Sequence, residues 1–124
     1  MKDVREWDES DLVLVVQADQ KENTTIDYKR SAALAFKDKS PCKDGKGTIG
    51  EKHRADLIRD VASMANAEGG LIIYGIVERK GGYPDHLDDG ADPKTVSPEQ
   101  IEQIILKNIN PPVEGFFVHP IVIT

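Results

Sequence analysis

A glycine pair, Gly69-Gly70, separates two segments whose apolar patterns demand different secondary structures, and this junction constrains the fold more than anything else in the chain. Before it, Leu57, Ile58, Val61, Ala62 and Ala65 recur at i, i+1, i+4, i+5 and i+8, the apolar stripe of a helix that begins near Glu51. After it, Leu71 to Val77 is almost wholly apolar, which predicts a strand covered on both faces. Glycine supplies the left-handed backbone that ends such a helix. Helix, glycine pair and buried strand together are the best-defined local structure in the chain.

The flanking segments fill in an α/β (α+β) domain with a mixed sheet and about three helices. Ser10 or Asp11 can cap a first helix carrying Leu12, Val13, Val15 and Val16. Thr24 to Ser31 alternates, with Ile26 and Tyr28 on one face and Asp27 and Lys29 on the other, which reads as a half-buried strand. Ser97-Pro98-Glu99-Gln100 starts a further helix that sends Ile101, Ile104, Ile105 and Ile109 to the core and stops before Pro111-Pro112. Residues 37 to 51 and 79 to 96 read as polar loops, the first of them mobile, and Phe116 to Thr124 as a final strand. The 124 residues suffice for one compact domain spanning 1–124, and that last alternation runs to the chain end as in a domain cut from a longer protein.

Composition narrows the setting. No apolar run approaches the roughly 20 residues of a spanning helix, so no membrane partner is expected. The N-terminus is too polar for a secretory signal, and the single Cys42 excludes an internal disulfide, which together predict a cytoplasmic protein. The net charge is −6, but from Lys29 to Arg59 nine Lys/Arg face four Asp/Glu, a local net of +5 that leaves −11 elsewhere. One face suited to a polyanion is compatible with this asymmetry, and so is a solvated lysine loop. The candidate phosphate-contacting residues are Lys29, Arg30, Lys37, Lys39, Lys43, Lys46, Lys52 and Arg54.

Several familiar chemistries find no footing. Gly45-Lys46-Gly47-Thr48 lacks the full spacing of a phosphate loop and the strand before it. Gly69-Gly70 follows a helix instead of opening one, unlike a dinucleotide fingerprint. His53, His86 and His119 show no metal spacing with one another or with Cys42, and no nucleophile elbow is present.

Three acids remain. Glu22 and Asp27 flank the predicted strand in Glu22-Asn23-Thr24-Thr25-Ile26-Asp27-Tyr28-Lys29, and Glu78 closes the buried one. Carboxylates suit Mg²⁺ or Mn²⁺, which can activate water at a scissile phosphate. Five residues apart on one straight strand, Glu22 and Asp27 point to opposite faces, so they meet only across a bend or bulge. Lys29 reads either as an ion-pair partner of Asp27 or as a phosphate contact. Asp60, among Arg54, Arg59 and His53, reads as a surface ion-pair partner.

Taken in order, these residues resemble the Schlafen/AlbA-like DNA-binding domain family. Glu22, Asp27, Tyr28 and Lys29 fill its first motif, with Asp for Glu and Tyr for Phe. Val61 to Gly70 fills the second, with Met64 for Phe, and Gly75-Ile76-Val77-Glu78 the third. The later helix and Asn110-Pro111-Pro112 also fit. The resemblance implies an α/β domain that binds nucleic acid, DNA or RNA, as in bacterial transcriptional regulators. Some members cleave RNA with three acids and a divalent metal, and those acids would here be Glu22, Asp27 and Glu78, with Mg²⁺ or Mn²⁺ as cofactor. The chain departs from the pattern in the shorter Asp27, in having Glu as third acid, and in lacking any counterpart of the animal proteins' zinc site. Three functions stay open: a nucleic-acid-binding module, a metal-dependent nuclease, and an interaction domain that forms homo-oligomers through the final strand.

Overall fold

A computed structural model describes residues 2–123, and Met1 and Thr124, the ends of the expected domain and of the expected final strand, lie outside the described residues. Helix α1 spans Glu9–Gln17, strand β1 Ile26–Lys29, and helix α2 Ile49–Ala65. Strands β2 (Leu71–Tyr74), β3 (Ile76–Arg79) and β4 (Tyr83–Leu87) follow, then helix α3 (Pro98–Asn108). The described residues thus form a single α+β domain with three α-helices and two small two-stranded pairings, one parallel and one antiparallel.

β1 and β2 pair in parallel, with Ile26 opposite Leu71 and Lys29 opposite Tyr74. The pairing depends on Gly70, whose φ is +152°. A β-carbon there would stand 2.6 Å from the Thr25 carbonyl oxygen and 2.9 Å from its Cα, so only glycine lets the two strands start side by side. Gly69, at φ +81°, makes the preceding turn, and its N–H reaches back 2.9 Å to the Met64 carbonyl at the end of α2.

The apolar run 71–77 is not one strand. Gly75 interrupts it at φ +118°, and the N–H of Gly75 donates to the Lys29 carbonyl at 2.7 Å, the last link between β1 and its neighbour. β3 then leaves to form an antiparallel hairpin with β4, with a bulge between Val77 and Glu78. Part of the expected loop 79–96 is therefore the strand β4. Its apolar content is thin because Asp85 and His86 are exposed, and only Pro84 is fully buried.

Two cores lie on either side of the β1–β2 pair. The first joins Leu12, Tyr28, Ile73 and Ile76, with Trp7, Val15, Val16 and Ile121 packed on it. The second joins Leu34, Phe36, Leu57 and Ile105, with Val61, Tyr74, Ile101, Ile104, Ile109 and Phe116. All four isoleucines expected of α3 face this second core. Ser97 caps α3, its hydroxyl accepting the Gln100 N–H at 3.1 Å, and Pro98 opens it.

Three further expectations change. Asp8, not Ser10 or Asp11, caps α1, and Asp11 completes the reciprocal capping box. Helix α2 starts at Ile49, two residues early, because Thr48 and Glu51 form a capping box of their own. Residues 116–123 form no strand: Phe116 and Ile121 are drawn into different cores, and His119 Nε2 meets the Trp7 carbonyl at 2.8 Å. No strand edge is thus offered there for pairing between subunits. No helix among the described residues is long and apolar enough to cross a membrane.

The start of α2 is held by backbone contact. Gly50 N–H donates to the Asp38 carbonyl at 2.9 Å, and Arg54 Nη1 to the Phe36 carbonyl at 2.6 Å. A β-carbon on Gly50 would fall 2.8 Å from the Phe36 carbonyl carbon and 2.9 Å from the Asp38 oxygen. We expect Gly50→Ala to lower the urea unfolding free energy by about 2 kcal/mol, overpacking outweighing the better helix propensity of alanine. An unchanged or raised urea midpoint would refute this reading of the contact.

Candidate functional site

The bend that the three-acid arrangement needs is present. Asn23 and Ile26 close a tight turn through Asn23 N–H to Ile26 O at 3.0 Å, and the Asn23 side chain accepts both the N–H and the hydroxyl of Thr25 at 2.8 Å. Glu22 is thereby folded back over β1. Its backbone N–H donates to Gly82 O at 2.8 Å, and its Oε2 accepts the Tyr28 N–H at 2.8 Å. The Glu22 carboxyl comes near enough to Asp27 to act on its ionisation. Burial, then the Glu22 carboxyl, push Asp27 up to about 6 against the opposing pull of Lys29.

Glu78 joins this neighbourhood more loosely. It is exposed on β3, opposite Pro84 at the bulge. Burial, then the charges of Glu22 and Glu78, raise the Tyr28 hydroxyl above its ordinary value, so both acids act on one ring. That hydroxyl donates to the Gln20 carbonyl at 2.6 Å.

The residues as arranged do not fit a divalent metal. Among the described residues no three His, Cys, Asp or Glu side chains form a group able to hold one. Glu22 spends an oxygen on the Tyr28 N–H, and Asp27 has the Lys29 ammonium at 3.5 Å where a second cation would be repelled.

Lys29 belongs to an inner ion network instead of an open phosphate contact. It lies 3.5 Å from Asp27 Oδ2 and 3.4 Å from Asp60 Oδ2, with its side chain 32% exposed. Burial opposes its charge, but the two carboxylates outweigh it and raise the ammonium above its usual value. Asp60 Oδ2 is buried and accepts no hydrogen bond, so the nearby ammonium is its main compensation. Asp60 also meets Arg59 at 3.4 Å. It was the least visible member of the group in the sequence, because nothing in its helix position announces that β1 lies beneath it. Tyr74 is part of the same neighbourhood: burial, then Asp60, Asp27 and Asp56, hold its hydroxyl well above the ordinary range.

The other cations divide into two sets. Lys52 pairs with Asp56 at 3.0 Å, and Arg54 holds the Phe36 carbonyl, so both already have work inside the fold. Arg30, Lys37, Lys39, Lys43 and Lys46 are exposed and, among the described residues, form no ion pair. The segment bearing most of them is ordered by its own backbone. Cys42 N–H donates to Gly47 O at 3.1 Å, Gly45 N–H to Cys42 O at 3.0 Å, and Ile49 N–H to Ser40 O at 2.9 Å. Its acids accept from the loop's own backbone: Asp38 takes the Ser40 N–H and Asp44 the Lys46 N–H, each at 2.9 Å.

Sequence reasoning also missed Asp88. Its carboxylate accepts the Ser31 N–H at 2.8 Å, the Ser31 hydroxyl at 2.7 Å and the Gly90 N–H at 2.8 Å. Burial works against its ionisation, yet these donors prevail and hold it below the usual carboxylate value. The short turn Ser31–Leu34 is thereby fastened to the loop after β4. An Asp followed two residues later by Gly was the only trace of this in the sequence.

A protein-family model described as Schlafen, AlbA_2 matches residues 22–123. No curated protein and no solved structure matches the chain significantly.

Two measurements check this site. Asp27, raised from 3.8 to about 6, contributes stability that is fully present below its unfolded value and is lost as pH rises through its folded one. Asp27→Asn is expected to remove that loss and gain about 1–2 kcal/mol over wild type above pH 7, within the ceiling of about 3 kcal/mol for a shift of this size. Parallel pH–stability curves for the two proteins would discredit the raised carboxyl. Separately, Mn²⁺ at millimolar concentration is expected to leave the melting temperature unchanged, and a clear rise would restore the three-acid metal reading.

Proposed function

This chain belongs to the Schlafen/AlbA_2 family, and we propose that it is a nucleic-acid-binding module that grips phosphates through Lys37, Lys39, Lys43, Lys46 and Arg30. The observation supporting this is that these five cations are exposed and without ion-pair partners among the described residues, four of them on a loop whose acids accept from its own backbone and Arg30 just after the end of β1. Lysines on an ordered loop meet a polyanion with less to lose in conformational freedom than lysines on a floppy one. Contacts of this kind position a nucleic acid and carry little sequence information. The setting we propose is a cytoplasmic regulator, in keeping with the lone thiol of Cys42.

Lys29, Lys52 and Arg54 take no primary part in this reading, since each already holds a partner inside the fold. They supply field, not contacts. Acids elsewhere give the domain its net negative charge, which favours docking of the ligand on this loop over the rest of the surface.

Binding of labelled single-stranded RNA, single-stranded DNA and duplex DNA, followed by fluorescence anisotropy, tests the proposal. Affinity should fall steeply between roughly 50 and 200 mM salt. The double variant Lys43→Ala, Lys46→Ala should weaken binding to every sequence alike and lower the salt slope by about 2. Salt-insensitive binding, or a double variant indistinguishable from wild type, would overturn it. Comparison of the three ligands decides between DNA and RNA.

A further inference from the structure

The cleft between the turn Ser31–Leu34 and the loop after β4 has a volume of about 430 Å³, within the range of roughly 300–1,000 Å³ typical of ligand sites. Its apolar lining includes Ala32, Ala35, Val77 and Val96, and its polar lining includes Arg30 and Asp89. The Asp88 carboxylate fixes both walls, since it binds Ser31 on one side and Gly90 on the other. The cleft is thus built before any ligand arrives. Arg30 opens the stretch of cations that continues to Lys46.

We infer that this cleft receives one unstacked base of a single-stranded nucleic acid, with Arg30 on the adjoining phosphate and Asp89 accepting from the base edge. The inference rests on the proposed nucleic-acid binding and goes beyond it in naming the strandedness and the base chemistry. A base has two apolar faces and a polar rim, which suits a slot with alanine and valine walls. It enters only from a single strand or by being flipped out of a duplex.

The polar groups at the rim are not equivalent. Asp88 has its three donors already, and Asp92 accepts the Lys94 N–H at 2.9 Å. Asp89 is exposed and forms no ion pair or hydrogen bond among the described residues. A free carboxylate only accepts, so it favours a base presenting an amino group. Adenine, cytosine and guanine present one; uracil and thymine offer only the single ring N3–H.

The test uses oligo-A, oligo-C and oligo-U RNA, their DNA counterparts with oligo-T, and a mixed-sequence duplex. Wild type should bind oligo-A and oligo-C more tightly than oligo-U or oligo-T. Ala32→Phe, at an exposed position of the lining, fills the slot and should cost about tenfold for oligo-A and oligo-C while leaving duplex affinity and the salt slope unchanged. Asp89→Asn, also exposed, should erase the preference for amino-bearing bases without loss of folding. If the single strands bind but show no base preference and neither variant changes their affinity, the base site is refuted and the phosphate-binding reading stands. If no nucleic acid binds at any salt concentration, both fall together.

Discussion

The close approach of Gly70 to Thr25 is the contact on which the rest of this architecture depends. It brings a strand from the first third of the chain into parallel register with one that follows α2. Everything of chemical interest is a consequence of that register. Lys29 comes to lie under α2, within reach of Asp60. Tyr28 enters the first core, and Gly75 closes the pairing on the Lys29 carbonyl before the chain departs into its hairpin.

The register also creates an electrostatic difficulty that the fold solves locally. The Asp27 and Asp60 carboxylates are pressed between sheet and helix, where charge is costly to keep. Lys29 neutralises part of this, and Asp27 answers the remainder by holding its proton to higher pH. The same arrangement removes Lys29 from service as an open cation. The exposed cations without ion-pair partners among the described residues therefore lie not on β1 but on the loop ahead of α2 and at Arg30.

Legibility in the sequence followed the range of the forces involved. The helix, glycine pair and apolar strand were plain because their cause is local periodicity and backbone freedom, and α3 was plain because Ser97 and Pro98 are local signals. The hairpin was hidden because β4 is held by its pairing with β3 and by packing on α1 and the first core, partners that its own short apolar pattern does not announce. The run from Leu71 to Val77 looked continuous because hydropathy is blind to a φ of +118° at Gly75. The meeting of Glu22 and Asp27 was legible only as a condition, since the deciding turn rests on one side chain, Asn23. Asp88, and the tie of Asp60 to Lys29, were invisible because those contacts span distant parts of the chain.

The carboxylate of Glu22 has one more effect. Thr25 and Lys29 direct their carbonyls toward β2, so by the alternation of a strand the Tyr28 N–H points to the opposite, open edge. Glu22 occupies that N–H. An intruding strand would have to expel an internal carboxylate before it could add to β1, and would meet negative charge as it did so. The bent segment that looks like a ligand set is thus also a guard against edge-to-edge aggregation, placed on the side of β1 that faces away from β2.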